Sequence, residues 1–92
     1  MGDGRRIGKT ADADTLAAVS AEVARARAKF PRNAHLLAAL TEEVGELAAA
    51  MLEGLSLEEI QREAIQVACV ACRIVEEGDG DFPCSVEPEA SE

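Results

Sequence analysis

The sequence predicts an all-α domain: an antiparallel helical hairpin plus an N-terminal helix, completing a four-helix-type bundle by oligomerisation. Three observations carry this. The 48% apolar fraction is almost all Ala, Leu, Val and Ile, with two Phe and no Trp or Tyr in 92 residues. That composition suits helices better than a β-sandwich and leaves no aromatic platform for stacking bases. Apolar residues recur at three- and four-residue steps in three segments, and turn or cap residues bound each segment. A chain of this length forms one small domain, marginal as a lone monomer.

Residues 1–13, rich in Gly and Asp and without periodicity, read as a flexible leader. The helical domain is predicted over residues 14–77. Its first helix runs from about Asp14 to Lys29, with Leu16, Val19, Val23, Ala26 and Phe30 on one stripe. Asp12 or Asp14 caps its start. Phe30-Pro31 ends it, since a residue before Pro avoids the α region. The second helix is predicted from about Ala34 to Glu53, with Asn33 as N-cap and Gly54 beyond its end. Leu36, Leu37, Leu40, Val44, Leu47 and Met51 form its stripe. The third opens on a capping box, Ser56-Leu-Glu-Glu59, and continues through Ile60, Ala64, Val67, Ala71 and Ile74 to Gly78. The short link around Gly54 makes helices two and three an antiparallel hairpin. Ala64 to Val75 is apolar nearly all round, more than three short helices can cover, so a homo-dimer or homo-tetramer is expected. Residues 78–92, combining Gly, Pro, Ser and acids, read as an acidic flexible tail.

Charge excludes several functions. The formal net charge of -9 argues against nucleic-acid polymers and membrane surfaces as partners, because both are held by clustered cations. No apolar run approaches ~18 residues and the N-terminus lacks a signal core, so the protein is expected to be cytoplasmic. Three cysteines make no disulfide framework. Cys69 and Cys72, spaced C-x-x-C but mid-helix, read as small hydrophobes, since redox pairs use a helix N-terminus. Seven of the nine cations lie within residues 1–32, while Asn33 onward holds 14 acids and only Arg62 and Arg73 as cations. That split suits either complementary packing or a site where carboxylates hold metal ions and nearby cations meet an anion.

At ~100° per residue, Glu43 borders the apolar stripe of the second helix and Glu46 follows one turn on. Glu63 falls inside the apolar arc of the third helix. A lone carboxylate there must be neutralised, paired or bound to a cation. Hairpin register brings them together: Glu46 opposes Glu63, and Glu43 opposes Gln66. Three carboxylates and one amide oxygen make an oxygen-only ligand set, which suits Mg²⁺ or Mn²⁺. The alternative is that Arg62 or Arg73 neutralises these acids as buried ion pairs.

The stretch Leu40-Thr-Glu-Glu-Val-Gly-Glu-Leu resembles the MazG-like, all-α nucleoside triphosphate pyrophosphohydrolases, whose signature is E-x-x-E, a spacer, then E-x-x-D on two antiparallel helices. Glu43-Val-Gly-Glu46 matches the first half, and sixteen residues separate it from Glu63-Ala-Ile-Gln66. The resemblance covers roughly residues 15–77. It implies hydrolysis of a nucleoside triphosphate to monophosphate and pyrophosphate in nucleotide house-cleaning. Glu43, Glu46 and Glu63 would be catalytic, holding Mg²⁺ with Gln66. The cation would neutralise phosphate charge and acidify a water, and Glu42 or Glu59 could take up the proton. Arg25, Lys29, Arg32 and Asn33 would meet the substrate. Gln66 stands where the family has Asp. It can ligate but brings no charge, so the alternative is a non-catalytic helical oligomer that binds nucleotide or acts as an interaction module.

Overall fold

A computed structural model describes residues 11–83 and contains, among them, three helices and no strand. These are α1 (Ala13–Lys29), α2 (Leu36–Leu52) and α3 (Leu57–Glu77). No helix among the described residues is long and apolar enough to cross a membrane. Most of the predicted leader, and the tail from residue 84, lie outside the described residues.

Helix α1 starts as the sequence suggests. Asp12 is the cap, its Oδ1 accepting from the Asp14 N–H at 3.4 Å. Arg27 and Lys29 occupy the last turn, where cations complement the helix dipole. Phe30 then leaves the helix before Pro31, its N–H donating to the Ala26 carbonyl at 2.7 Å.

The start of α2 differs from the expected Asn33 cap. The Asn33 side chain is used elsewhere, its Nδ2 donating to the Glu77 carbonyl at 2.8 Å. The chain passes instead through His35 in a left-handed conformation, φ 64°, and the helix begins at Leu36. The cap comes from far along the chain: the Leu37 N–H donates to Asp79 Oδ2 at 2.6 Å. That bond holds the Asp79 carboxyl below its ordinary range. So the segment predicted as tail from residue 78 begins with a cap for another helix. His35 Nδ1 lies 2.8 Å from Asp81 Oδ2, and the Gly80 N–H donates to the Asn33 carbonyl at 3.1 Å. A Cβ on Gly80 would stand 2.8 Å from Asn33 Oδ1, so a larger residue here would make the Asn33 side chain shift.

The turn from α2 to α3 is fully specified locally. Gly54 takes φ 71°, the Leu55 N–H donates to the Ala50 carbonyl at 3.0 Å, and the Gly54 N–H donates to Met51 at 3.2 Å. These two bonds form a Schellman motif. Two residues later the Ser56–Glu59 capping box opens α3, with both of its reciprocal bonds present. No slack remains in this link, which fixes the hairpin register.

Helix α3 lies between the other two, which do not touch each other. Val19 and Val23 of α1 bury against Cys69, with Ala26, Ile65, Ala68 and Cys72 packed around them. Burial pushes the Cys69 thiol up, as suits a small core hydrophobe. The buried face of α3 therefore runs through Cys69, Val70 and Arg73, not through the predicted stripe. Ala64 and Ala71 of that stripe are exposed, and Ile60, Val67 and Ile74 are only half covered. On α2, Leu37, Val44 and Met51 recur every seven residues and are each about half exposed, at 46%, 46% and 59%.

Arg73 is 2% exposed, and a buried cation must be paired. Its Nε and Nη2 donate to the two oxygens of Glu77 at 3.0 and 2.9 Å, and Nη2 also donates to the Arg32 carbonyl at 3.1 Å. Arg27 of α1 donates to Glu77 at 2.6 Å and to Glu76 at 2.5 Å. The Glu77 carboxylate thus fastens α1 to the end of α3, and Arg73 fastens the α1–α2 link to it. The Arg73 and Arg27 guanidinium groups hold the Glu77 carboxyl down from 4.5 to about 2. A folded-state pKa depressed in this way stabilises the fold above the unfolded value and is lost as pH falls through the folded one. Glu77→Gln is expected to cost about 2 kcal/mol at pH 7. In chemical denaturation the difference from the parent should shrink below pH 4.5 and vanish near pH 2; a pH-independent difference would show that the charge is not what matters.

Candidate metal centre

The fixed register of α2 against α3 decides what meets in the layer above the turn. Glu43 and Glu46, one turn apart, approach Glu63 of α3, and one carboxylate oxygen from each lies within 4.8 Å of the others. Like charges this close repel, so a favourable reason must hold them or the chain would turn them outward. Glu46 is exposed and has that freedom, whereas Glu43 and Glu63 are half-buried. Glu43 is the constrained member. Its Oε1 is buried with no hydrogen-bond partner. Burial, then the charges of Glu46, Glu63 and Glu42, pushes its carboxyl above the ordinary range.

Neither arginine neutralises the cluster. Arg73 is committed to Glu77 and Arg32, and Arg62 lines a groove between α1 and α3. Three carboxylates from two helices are an oxygen-only donor set of the kind that divalent cations use. Around octahedral Mg²⁺ at 2.0–2.1 Å neighbouring ligand oxygens lie ~2.9 Å apart and opposite ones ~4.2 Å, so the three carboxylates would have to close by up to ~2 Å to share one ion. The orphaned Oε1 of Glu43 is the atom that most needs one.

Gln66 is one turn beyond Glu63, but its amide nitrogen reaches the other way, donating to Glu22 Oε2 of α1 at 2.7 Å. Its oxygen makes no hydrogen bond among the described residues, so a neutral acceptor is left over while the nitrogen is tied. Sequence reasoning missed Glu22, because nothing local marks a carboxylate on α1 as the partner of an amide 44 positions away. Glu59 is spent on the capping box, accepting from the Ser56 N–H at 3.3 Å. Glu42 is exposed beside Glu43.

The four predicted substrate residues separate into two groups. Arg25 and Lys29 line the α1–α3 groove with Arg62, which the sequence reading had weighed only as a counter-ion. Arg25 pairs with Glu22, and the Lys29 ammonium sits 5.5 Å from the Phe30 ring centre. Arg32 and Asn33 are outside that groove, and Asn33 is occupied by Glu77. Gly45, between Glu43 and Glu46, has open space where a Cβ would go, so nothing within this chain requires it.

Compared with models of known families, with curated proteins and with solved structures, the chain matches none.

Glu43 yields a two-sided prediction. A carboxyl raised above its unfolded value favours the fold at low pH, and that contribution is lost as pH rises through the folded value. At pH 7 without divalent metal, Glu43→Gln should therefore melt higher than the parent. Excess Mg²⁺ should raise the parent's melting temperature and leave the variant's unchanged. A parent that melts higher in chelator, or a variant that gains equally from Mg²⁺, contradicts the assignment.

Proposed function

We propose that this protein is a divalent-metal-dependent nucleoside triphosphate pyrophosphohydrolase, releasing monophosphate and pyrophosphate. The observation that carries the reading is the convergence of Glu43, Glu46 and Glu63, with one buried oxygen of Glu43 unpartnered. The E-x-x-E and sixteen-residue spacing that resemble the MazG-like enzymes supply the reaction class. Mg²⁺ or Mn²⁺, when bound, neutralises phosphate charge and acidifies water. The chain's own residues do the rest. Glu43 and Glu63 would hold the cation from two helices, and exposed Glu46 would complete the carboxylate set. Water adds to the α-phosphorus, the bond to the bridging oxygen breaks, and pyrophosphate leaves with the electron pair. Exposed Glu42 takes up the proton.

The same reading includes a homo-oligomer. The half-exposed Leu37, Val44 and Met51 repeat of α2, beside the incompletely covered Ile60, Val67 and Ile74 of α3, gives the hairpin one broad apolar face. A second hairpin on it completes a four-helix bundle. A second reading, a non-catalytic member of the same fold, is favoured by one observation: the Gln66 amide is tied to Glu22 and carries no charge to the layer.

Pyrophosphate release from a panel of ordinary and modified nucleoside triphosphates, with Mg²⁺ and with chelator, separates the two. Release only with metal, falling by about 10²-fold or more in Glu63→Gln, is expected. No release from any triphosphate sinks the enzyme reading, and a fully active Glu63→Gln sinks the ligand assignment. Sedimentation of the same samples should give a dimer or tetramer that Val44→Glu converts to monomer. An unchanged assembly places the interface elsewhere.

A further inference from the structure

The groove between α1 and α3 holds about 610 Å³, within the ~300–1,000 Å³ of small-molecule sites. Its charge runs against that of the chain. In a protein of net charge -9 most cations have acids to choose from. Yet Arg25, Lys29 and Arg62 gather around one cavity whose single acidic side chain is Glu22. That carboxylate is shared, pairing with Arg25 and accepting from Gln66. Among the described residues neither Lys29 nor Arg62 is in an ion pair. Three cations against one carboxylate leave the groove positive, and Phe30 and Ile65 in its walls lower the local dielectric.

We propose that this groove is a polyphosphate-binding site, in which Arg25, Lys29 and Arg62 hold two adjacent phosphates of a triphosphate chain or free pyrophosphate. The guanidinium forks of Arg25 and Arg62 suit phosphate oxygens bidentately, and Lys29 adds a point charge. The size of the groove and its charge both exceed what one orthophosphate would use. Its position gives it a task. Gln66 lines the groove and stands one turn from Glu63 on the same helix, while none of the three carboxylates lines the groove itself. A triphosphate with its α-phosphate at the carboxylates would lay its leaving end here. That role rests on the proposed function, whereas the anion site does not.

The test is a calorimetric titration of the full chain with inorganic tripolyphosphate in metal-free buffer, with orthophosphate as control. Binding of tripolyphosphate in clear preference to orthophosphate is expected. Arg62→Gln should weaken it by about tenfold or more, as loss of a charged hydrogen bond does. Arg62→Lys should recover part of that loss, and Arg32→Gln, outside the groove, should change it by less than about twofold. Equal loss in the Arg62 and Arg32 variants means diffuse attraction and overturns the site, as does no binding at all. Circular dichroism melts of each variant exclude unfolding as the cause. The two proposals fail separately. Arg62-dependent tripolyphosphate binding without pyrophosphate release leaves the groove and removes the enzyme. Metal-dependent hydrolysis with the KM for triphosphate untouched by Arg62→Gln leaves the enzyme and removes the groove.

Discussion

Everything distinctive about this molecule depends on the rigid link between α2 and α3. A Schellman motif at Gly54 ends one helix, a capping box at Ser56 opens the next, and nothing between them can slip. One residue more or less would rotate α3 by ~100° and carry Glu63 away from Glu43 and Glu46. With the link as it is, three carboxylates share one layer and one oxygen of Glu43 is buried without a partner. The local chemistry of a turn therefore imposes an electrostatic cost two turns away. Under the proposed function, a divalent cation would convert that repulsion into coordination.

The opposite end of the molecule is arranged the other way, with charge fully satisfied. Buried Arg73 and the partly exposed Arg27 and Glu77 form a clasp, and Asn33, Asp79 and Gly80 draw the α1–α2 link and the segment after α3 together. This clasp compensates for a thin core. The only buried apolar cluster linking α1 to α3 among the described residues is built on Val19, Val23 and Cys69. The two ends have opposite electrostatics: Arg73 is buried and fully paired, whereas an oxygen of Glu43 is buried without a hydrogen-bond partner among the described residues.

Where the determinants are local, the sequence was a sufficient guide. The α1 cap at Asp12, the Pro31 stop, the α3 capping box and the hairpin register all rest on residues within a few positions of each other. The carboxylate layer follows from that register by arithmetic. Where the determinants are distant, the sequence was silent or misleading. Asn33 has the chemistry of an N-cap, but the Glu77 carbonyl competes for it, and Asp79 caps α2 from 42 positions away. The composition of residues 78–83 resembles a free tail, yet single polar contacts, not apolar burial, hold it. Ala64 to Val75 is apolar nearly all round, so periodicity could not say which face α1 and α2 would cover. They cover the side of Cys69, Val70 and Arg73 and leave Ala64 and Ala71 in the open.

The central claim is that a divalent cation at the carboxylate layer competes with the proton that burial favours on Glu43. Calorimetric titration of Mn²⁺ near pH 6, repeated in buffers of different ionisation enthalpy, counts protons directly. Saturable binding accompanied by proton release is expected, and the release should shrink in Glu43→Gln, whose carboxyl is raised by burial and by its acidic neighbours. Binding with no proton release, or no binding at millimolar Mn²⁺, would contradict the claim.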